Sequence, residues 1–360
     1  EWIEIESPST DAAAVNQMVD RAEADMRGLG ARIERVPGTD GKGDVLIAQS
    51  DWGEEPGILI LSHLDTVHPI GMIDEALKVR REGDSIYGPG IYDMKGGAYM
   101  AYYAWRHLIR HNVKTRLKLT LMFVPDEEIG SDTSRARIEA EAKKNKYVLV
   151  TEPARDGGKI VTARKGVGRF HVKCEGRPAH SGVRHEDGRS AIREMAHQIL
   201  AIEAMTDYAR GITVNVGQIK GGTGTNVVPQ FCEIDVDLRV PDAAIGEEMC
   251  ARFFALKPSD PDVKIKVTGG MNRPAYLKDA GIAALFDHAK GIARELGFEL
   301  QDVKQTGGGS DGNFTAALGI PTLDGLGPDG KGAHTDCEQI YYSSLRQRTQ
   351  LMLRLFETLE

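Results

Sequence analysis

The sequence predicts an α/β protein built from a discontinuous main domain, residues 1–165 and 275–360, interrupted by a smaller β-α-β-β-α-β (ferredoxin-like) domain over residues 166–274. Three observations carry this. The 360 residues exceed what one hydrophobic core usually organises. Fully apolar, strand-length runs such as Ile58-Leu59-Ile60-Leu61 alternate with helix-periodic segments, the texture of a sheet covered on both faces. Near Gly166 this gives way to strands alternating apolar with polar residues, and the first texture returns at about Ile282.

Taken in order, Pro8 and Thr10 open a helix that presents Val15, Met18, Val19, Ala22, Met26 and Leu29 on one face, and Gly28 and Gly30 close it. Strands are expected over Ala31–Val36, Asp44–Gln49, Ile58–Leu61, Leu117–Val124 and Tyr147–Val150, with helices over Met94–His111 and Thr133–Lys144. In the insertion, strands at Phe170–Cys174, Ile212–Val216, Cys232–Leu238 and Val263–Val267 enclose helices bearing Ile192, Met195, Ile199 and Leu200, and starting at Asp242. Helices at Ile282–Leu296 and Leu345–Leu359 and a strand at Ile320–Leu323 complete the main domain.

Lys+Arg 45 against Asp+Glu 53 leaves a net charge of -8, which repels polyphosphate and argues against nucleic acid or an anionic membrane as partner. No stretch of about 18 apolar residues is present. The first ten residues lack the basic and apolar regions of a secretory leader, so a cytoplasmic protein is expected. Cys174, Cys232, Cys250 and Cys337 form no Cys-x-x-Cys pair and are expected to be reduced core thiols. Gly88-Pro89-Gly90 lacks the third glycine of a dinucleotide loop. Gly307-Gly308-Gly309-Ser310-Asp311-Gly312 lacks the lysine of a phosphate loop and is expected to approach substrate.

The chemistry gathers where strands end. His63-Leu64-Asp65 follows the Ile58–Leu61 strand, Asp126-Glu127-Glu128 follows Leu117–Val124, and Glu152 follows Tyr147–Val150, so three clusters share the carboxyl edge at which α/β sheets collect ligands. Asp93 precedes Met94-Lys95-Gly96-Gly97 at a helix start, and His334 sits in Gly332-Ala333-His334-Thr335-Asp336. Any one of these residues alone reads as a helix cap or a solvated charge. Together they read as a metal site, because carboxylates crowded at one edge raise one another's pKa unless a cation compensates them. Three ligand carboxylates with two neutral histidines carry a charge of minus three, which two divalent cations and one hydroxide neutralise. Mixed imidazole and carboxylate ligation suits Zn²⁺, with Co²⁺ or Mn²⁺ as substitutes.

His-Leu-Asp-Thr-Val, Gly-x-x-Asp-Met-Lys-Gly-Gly, Asp-Glu-Glu-Ile-Gly-Ser, Thr-Glu-Pro and Gly-Ala-His-Thr-Asp occur in this order around an inserted domain. The chain thereby resembles the di-zinc amidohydrolase and exopeptidase family of glutamate carboxypeptidases, acetylornithine deacetylase and succinyl-diaminopimelate desuccinylase, nearest to the glutamate carboxypeptidase branch. The resemblance implies a zinc-exopeptidase-like catalytic domain and two Zn²⁺ per chain. In it Asp93 bridges the metals, His63 and Glu152 hold one, and Glu128 and His334 hold the other. Asp65 orients His63, and Glu127 is the general base for water made acidic by the metals, then proton donor to the leaving amine. It further implies a cis Asp93-Met94 peptide and a lid that also dimerises. His180 from that lid donates to the developing oxyanion, often across the dimer, while Asn226, Arg239 and Arg273 hold the substrate. Without the resemblance, His180 and Arg273 would be surface-loop residues and Arg239 a solvated strand-end charge. His68, His107, His111, His171, His185, His197 and His288 match no ligand pattern and are assigned to surface or core.

The expected function is hydrolysis of the amide bond of a small N-acyl or peptidyl amino acid, with release of C-terminal glutamate. The alternatives are an N-acyl-amino-acid deacylase and, from another class, a non-catalytic metal-dependent binding protein, which the presence of Glu127 disfavours because mere binding needs no proton shuttle.

Overall fold

The computed structural model describes residues 1–360 and divides into two units: residues 1–163, 278–306 and 310–360, and residues 164–277 with 307–309. The glycine run 307–309 thus falls with the second unit, although the sequence reading assigned it to the first.

In the first unit the chain runs α1 (Ala12–Gly28), β1 (Arg32–Val36), β2 (Val45–Gln49), β3 (Glu54–His63), β4 (Arg80–Glu82), β5 (Ser85–Tyr87), α2 (Gly96–Arg110), β6 (Leu117–Val124), α3 (Arg135–Ala142), β7 (Asn145–Val150) and β8 (Ile160–Val161). The second unit supplies β9 (Gly166–Glu175), α4 (Ala191–Glu203), β10 (Thr213–Gly221), β11 (Phe231–Val240), α5 (Ala243–Phe254) and β12 (Lys264–Arg273). The first unit then resumes with α6 (Ala280–Glu295), β13 (Asp302–Val303), α7 (Gly312–Ala317), β14 (Thr322–Leu323), β15 (Gly330–Lys331), β16 (Gln339–Tyr341) and α8 (Tyr342–Thr358).

The main sheet has the order β1-β2-β6-β3-β7-β14, with β6, β3, β7 and β14 mutually parallel. The apolar run in β3 has the expected cause. Ile58 and Ile60 pack into one core with α1, α2, α6 and α8, while Leu59 and Leu61 pack into a second core with α3 and α7. Register decides what happens at the strand ends. His63 lies opposite Val124 of β6, and Leu61 opposite Val150 of β7, so the segments after all three strands emerge side by side.

Several boundaries differ from expectation by a few residues, and two of the differences have a local cause. Asp11, not Thr10, caps α1, accepting the amides of Ala13 and Ala14 at 3.0 Å. The helix expected from Met94 begins at Gly96, because Asp93 and Met94 have non-helical backbone angles. The Asp93-Met94 peptide is cis. Gly97 permits the close approach that follows: a Cβ there would lie 1.9 Å from the Thr151 carbonyl oxygen, so only glycine lets the start of α2 rest against the end of β7. A small sheet, β15-β16-β5-β4, was not foreseen, its strands being only two or three residues long.

The second unit is a four-stranded antiparallel sheet of order β10-β11-β9-β12, which with α4 and α5 completes the β-α-β-β-α-β pattern. Phe170, Val172, Cys174, Ile234, Val236 and Leu238 face Met195, Ile202, Met249 and Phe253, as the one-sided alternation requires. All four cysteines are free; Cys174 and Cys232 are buried as expected, whereas Cys250 is half-buried and Cys337 exposed. Those two sit on a helix face and in a polar loop, where the core does not reach.

Candidate metal centre

The aligned ends of β3, β6 and β7 bring His63, Glu127, Glu128 and Glu152 together, and the turn before α2 adds Asp93. Ligand-capable atoms of His63, Asp93 and Glu128 lie within 4.8 Å of one another, as do those of His63, Glu127 and Glu152. Asp93 stands between two histidines: its Oδ1 is 3.2 Å from His63 Nε2 and its Oδ2 3.3 Å from His334 Nε2. His334 Nε2 is also 3.1 Å from Glu128 Oε2, and His63 Nε2 is 3.8 Å from Glu152 Oε1. His334 has φ +64°, in the left-handed region that non-glycine residues seldom adopt outside functional turns.

Behind these side chains lies a buried support. The Asp65 carboxylate accepts the Glu127 and Glu128 amides at 3.1 and 3.2 Å and the Ser9 hydroxyl at 2.6 Å. His63 Nδ1 is 2.9 Å from the Asp65 main-chain oxygen and 3.5 Å from its carboxylate, so the shorter contact to the ring is made by the backbone. With Nδ1 engaged there, Nε2 is left to face Asp93 and Glu152.

The electrostatics show how crowded the centre is. Burial pushes the Glu128 carboxyl above its usual range, and the neighbouring Asp93 charge adds to this against the pull of His334. Burial would raise Asp93 too, but hydrogen bonds from His334 and His63 hold it well below the carboxylate range. Those bonds to Asp93 and Glu128 push His334 up to about 10. His63 is raised despite burial, by Asp65 and Asp93. Glu128 Oε1 is buried without a hydrogen-bond partner. An orphaned carboxylate oxygen among further carboxylates and two imidazoles fits a pair of divalent cations in the donor set and in the charge it requires.

In the second unit, the 176–189 and 224–229 loops pair through a bridge between His180 and Val227, and the Ser181 amide donates to the Asn226 carbonyl at 3.0 Å. His180 and Asn226 are therefore neighbours, both exposed. His180 Nδ1 accepts the Gly182 amide at 3.2 Å, which leaves the ring proton on Nε2. Arg239 pairs with Asp237 through two bonds of 2.8 Å and donates to the Gly307 carbonyl at 3.2 Å. Arg273 ends β12 and is buried, unlike a surface-loop arginine.

Sequence reasoning missed Ser9, His68 and Glu338. Ser9 and Glu338 lie in no chemical motif, and their partners are distant in the chain. His68, assigned to surface or core, is buried, and what that assignment lacked is its partner: its Nε2 lies 2.6 Å from Glu338.

Parallel strands that present His63 and carboxylates at their carboxyl ends, joined by Asp93 and His334 from neighbouring loops, form the donor set of a metal-dependent hydrolase. The chain belongs to Peptidase family M20/M25/M40, which residues 59–358 match, and is a hydrolytic enzyme of that family. It is 31% identical over 361 residues to Carboxypeptidase G2 of Pseudomonas sp. strain RS-16, covering 98% of this chain and 86% of that protein. Its fold is shared with the M20 family metallo-carboxypeptidase Sso-CP2 of Sulfolobus solfataricus, at TM-score 0.76 and 18% identity, covering 99% of this chain and 98% of that one. It is shared too with the Bacillus subtilis YXEP protein, a dinuclear metal binding peptidase, at TM-score 0.66 and 16% identity over 99% and 97% of the two chains. No helix is long and apolar enough to cross a membrane.

Proposed function

We propose that this enzyme is a two-cation carboxypeptidase that hydrolyses the amide bond of an N-acyl or peptidyl amino acid and releases C-terminal glutamate. The observation that carries the reading is Asp93, whose two carboxylate oxygens face two different histidines, beside the orphaned oxygen of Glu128. His63 and Glu152 would hold one cation, Glu128 and His334 the other, and Asp93 both. When bound, such cations polarise a carbonyl and make water acidic. The mixed donor set favours Zn²⁺.

Around that pair the chain's own groups divide the work. Glu127, half-buried and held by its amide on Asp65, takes the proton of the attacking water and passes it to the leaving nitrogen. His180, its proton on Nε2, donates to the carbonyl oxygen as negative charge develops there. Asn226 and the guanidiniums of Arg239 and Arg273 bind the substrate's polar ends, a substrate carboxylate taking Asp237's place on Arg239. Likeness to Carboxypeptidase G2 supports release of a C-terminal residue, and the guanidiniums of Arg239 and Arg273, natural forks for carboxylates, support an acidic one such as glutamate. Exposed Ile192, Leu200 and Tyr208 on and beside α4, with Ile219 on β10, support a homodimer formed through the second unit. Four unpaired cysteines support the cytoplasm.

The test is a product-release screen over N-acyl-glutamates, N-acetylornithine and succinyl-diaminopimelate, run before and after dialysis against a strong chelator. Glutamate release lost on chelation and restored by Zn²⁺ or Co²⁺, with two ions per chain, is expected. Preference for either of the other two substrates makes the enzyme a deacylase. Zero turnover on the whole panel with both ions loaded places the substrate outside these N-acyl amino acids, and full activity in verified metal-free protein removes the metal centre from the chemistry.

A further inference from the structure

Glu338 lies four residues beyond His334, is 1% exposed, and has every lone-pair direction of its carboxylate occupied from the other ligand-bearing loop or its surroundings. Oε1 accepts the amides of Tyr92 at 2.7 Å and Asp93 at 2.9 Å; Oε2 accepts that of Gly90 at 3.0 Å and meets His68 Nε2 at 2.6 Å. Its main-chain oxygen accepts the Gly88 amide at 3.4 Å. Sheet register creates the arrangement: β16 begins at Gln339 opposite Tyr87, the last residue of β5, so the residue before one strand meets the loop after the other. That loop turns through Gly90, at φ +70°, and ends on the Asp93 backbone.

We infer that Glu338 is a positioning residue that locks the Asp93 loop to the His334 loop, so that the carboxylate shared by both cations and the histidine of one are assembled as a single unit. The inference rests on the proposed two-cation reading. A carboxylate is required because the three amides it receives can only donate. An amide side chain of the same shape would turn an NH₂ group either toward Tyr92 and Asp93 or toward Gly90, leaving a buried amide without an acceptor. Asp93 serves both cations, so loosening its backbone weakens both sites together, whereas loss of Glu152 weakens one.

The experiment measures Zn²⁺ and Co²⁺ affinity by chelator competition, with the visible Co²⁺ spectrum and the melting temperature of the metal-free protein, for the wild type, Glu338→Gln, Glu152→Gln and Glu194→Gln. Glu194 is the control: a buried carboxylate of the second unit that accepts the Ser259 and Asp260 amides at 2.9 and 3.0 Å. Glu338→Gln should weaken both sites about 10- to 100-fold, the range for groups that orient metal ligands, and alter the Co²⁺ spectrum. Glu194→Gln should lower the melting temperature alone. If Glu338→Gln does not fold, Glu338→Asp, which keeps the charge but shortens the reach, takes its place with the same expectation. Wild-type affinity and spectrum in the folded variant, or equal weakening by Glu194→Gln, overturn the inference. A wild type that binds fewer than two cations overturns instead the reading beneath it.

Discussion

Adjacent Glu127 and Glu128 hang from one support, since both amides donate to Asp65, yet their side chains meet different surroundings. Glu128 Oε2 contacts His334 and its Oε1 is buried without a hydrogen-bond partner, which suits a metal ligand; Glu127 is half-buried, with one oxygen close to the ligand atoms of His63 and Glu152. Glu127→Gln keeps the volume and the amide bond to Asp65 but cannot accept a proton. Loss of general acid–base catalysis costs about 10²- to 10⁴-fold, or about 3–5 kcal/mol of barrier at 1.36 kcal/mol per decade, and it should fall on kcat while metal content stays at two. Glu128→Gln should lose metal from the His334 side, with activity following metal occupancy. Steady-state kinetics beside elemental analysis of the same samples separates the two. A Glu127→Gln protein stripped of metal, next to a Glu128→Gln protein that retains both ions, would refute the assignment, because Glu127 would then be a ligand in the His63–Glu152 group.

Two further outcomes are expected. Burial pushes Lys95 down to about 8 from an ordinary 10.5, so between those values the unfolded chain binds more protons than the folded one. The Lys95 contribution to stability should thus rise with pH across that window, opposite in sign to that of His334, and Lys95→Met should make the change in stability between pH 8 and 10 less positive in denaturant titrations; an equal slope in both proteins refutes the cause. For His180, mixing His180→Ala chains with Glu127→Gln chains should restore activity if the histidine acts across a dimer, and restored nothing in verified heterodimers would place its action, if any, within one chain.

Much of the site was legible because its chemistry sits where strands stop. Ile58–Leu61, Leu117–Val124 and Tyr147–Val150 announce buried parallel strands by apolar runs alone, and the residue after a strand's last apolar position must emerge at the edge. His63, Glu127, Glu128 and Glu152 could be found from that rule, and the second unit's topology from one-sided alternation. That Asp93 would set its two oxygens toward separate histidines came from the motif resemblance alone and not from periodicity or spacing, since it depends on a turn outside α2 and on the contact Gly97 allows with Thr151. The sequence could not show Ser9 on Asp65, or Glu338 and His68 behind Asp93. These pairs are 56, 245 and 270 residues apart or join Glu338 to the loop it holds, and no periodicity links such positions. Local pattern determines which face of an element is buried; only the register of packed strands, including the short β5–β16 pair that pattern cannot detect, decides which buried carboxylate meets which amide.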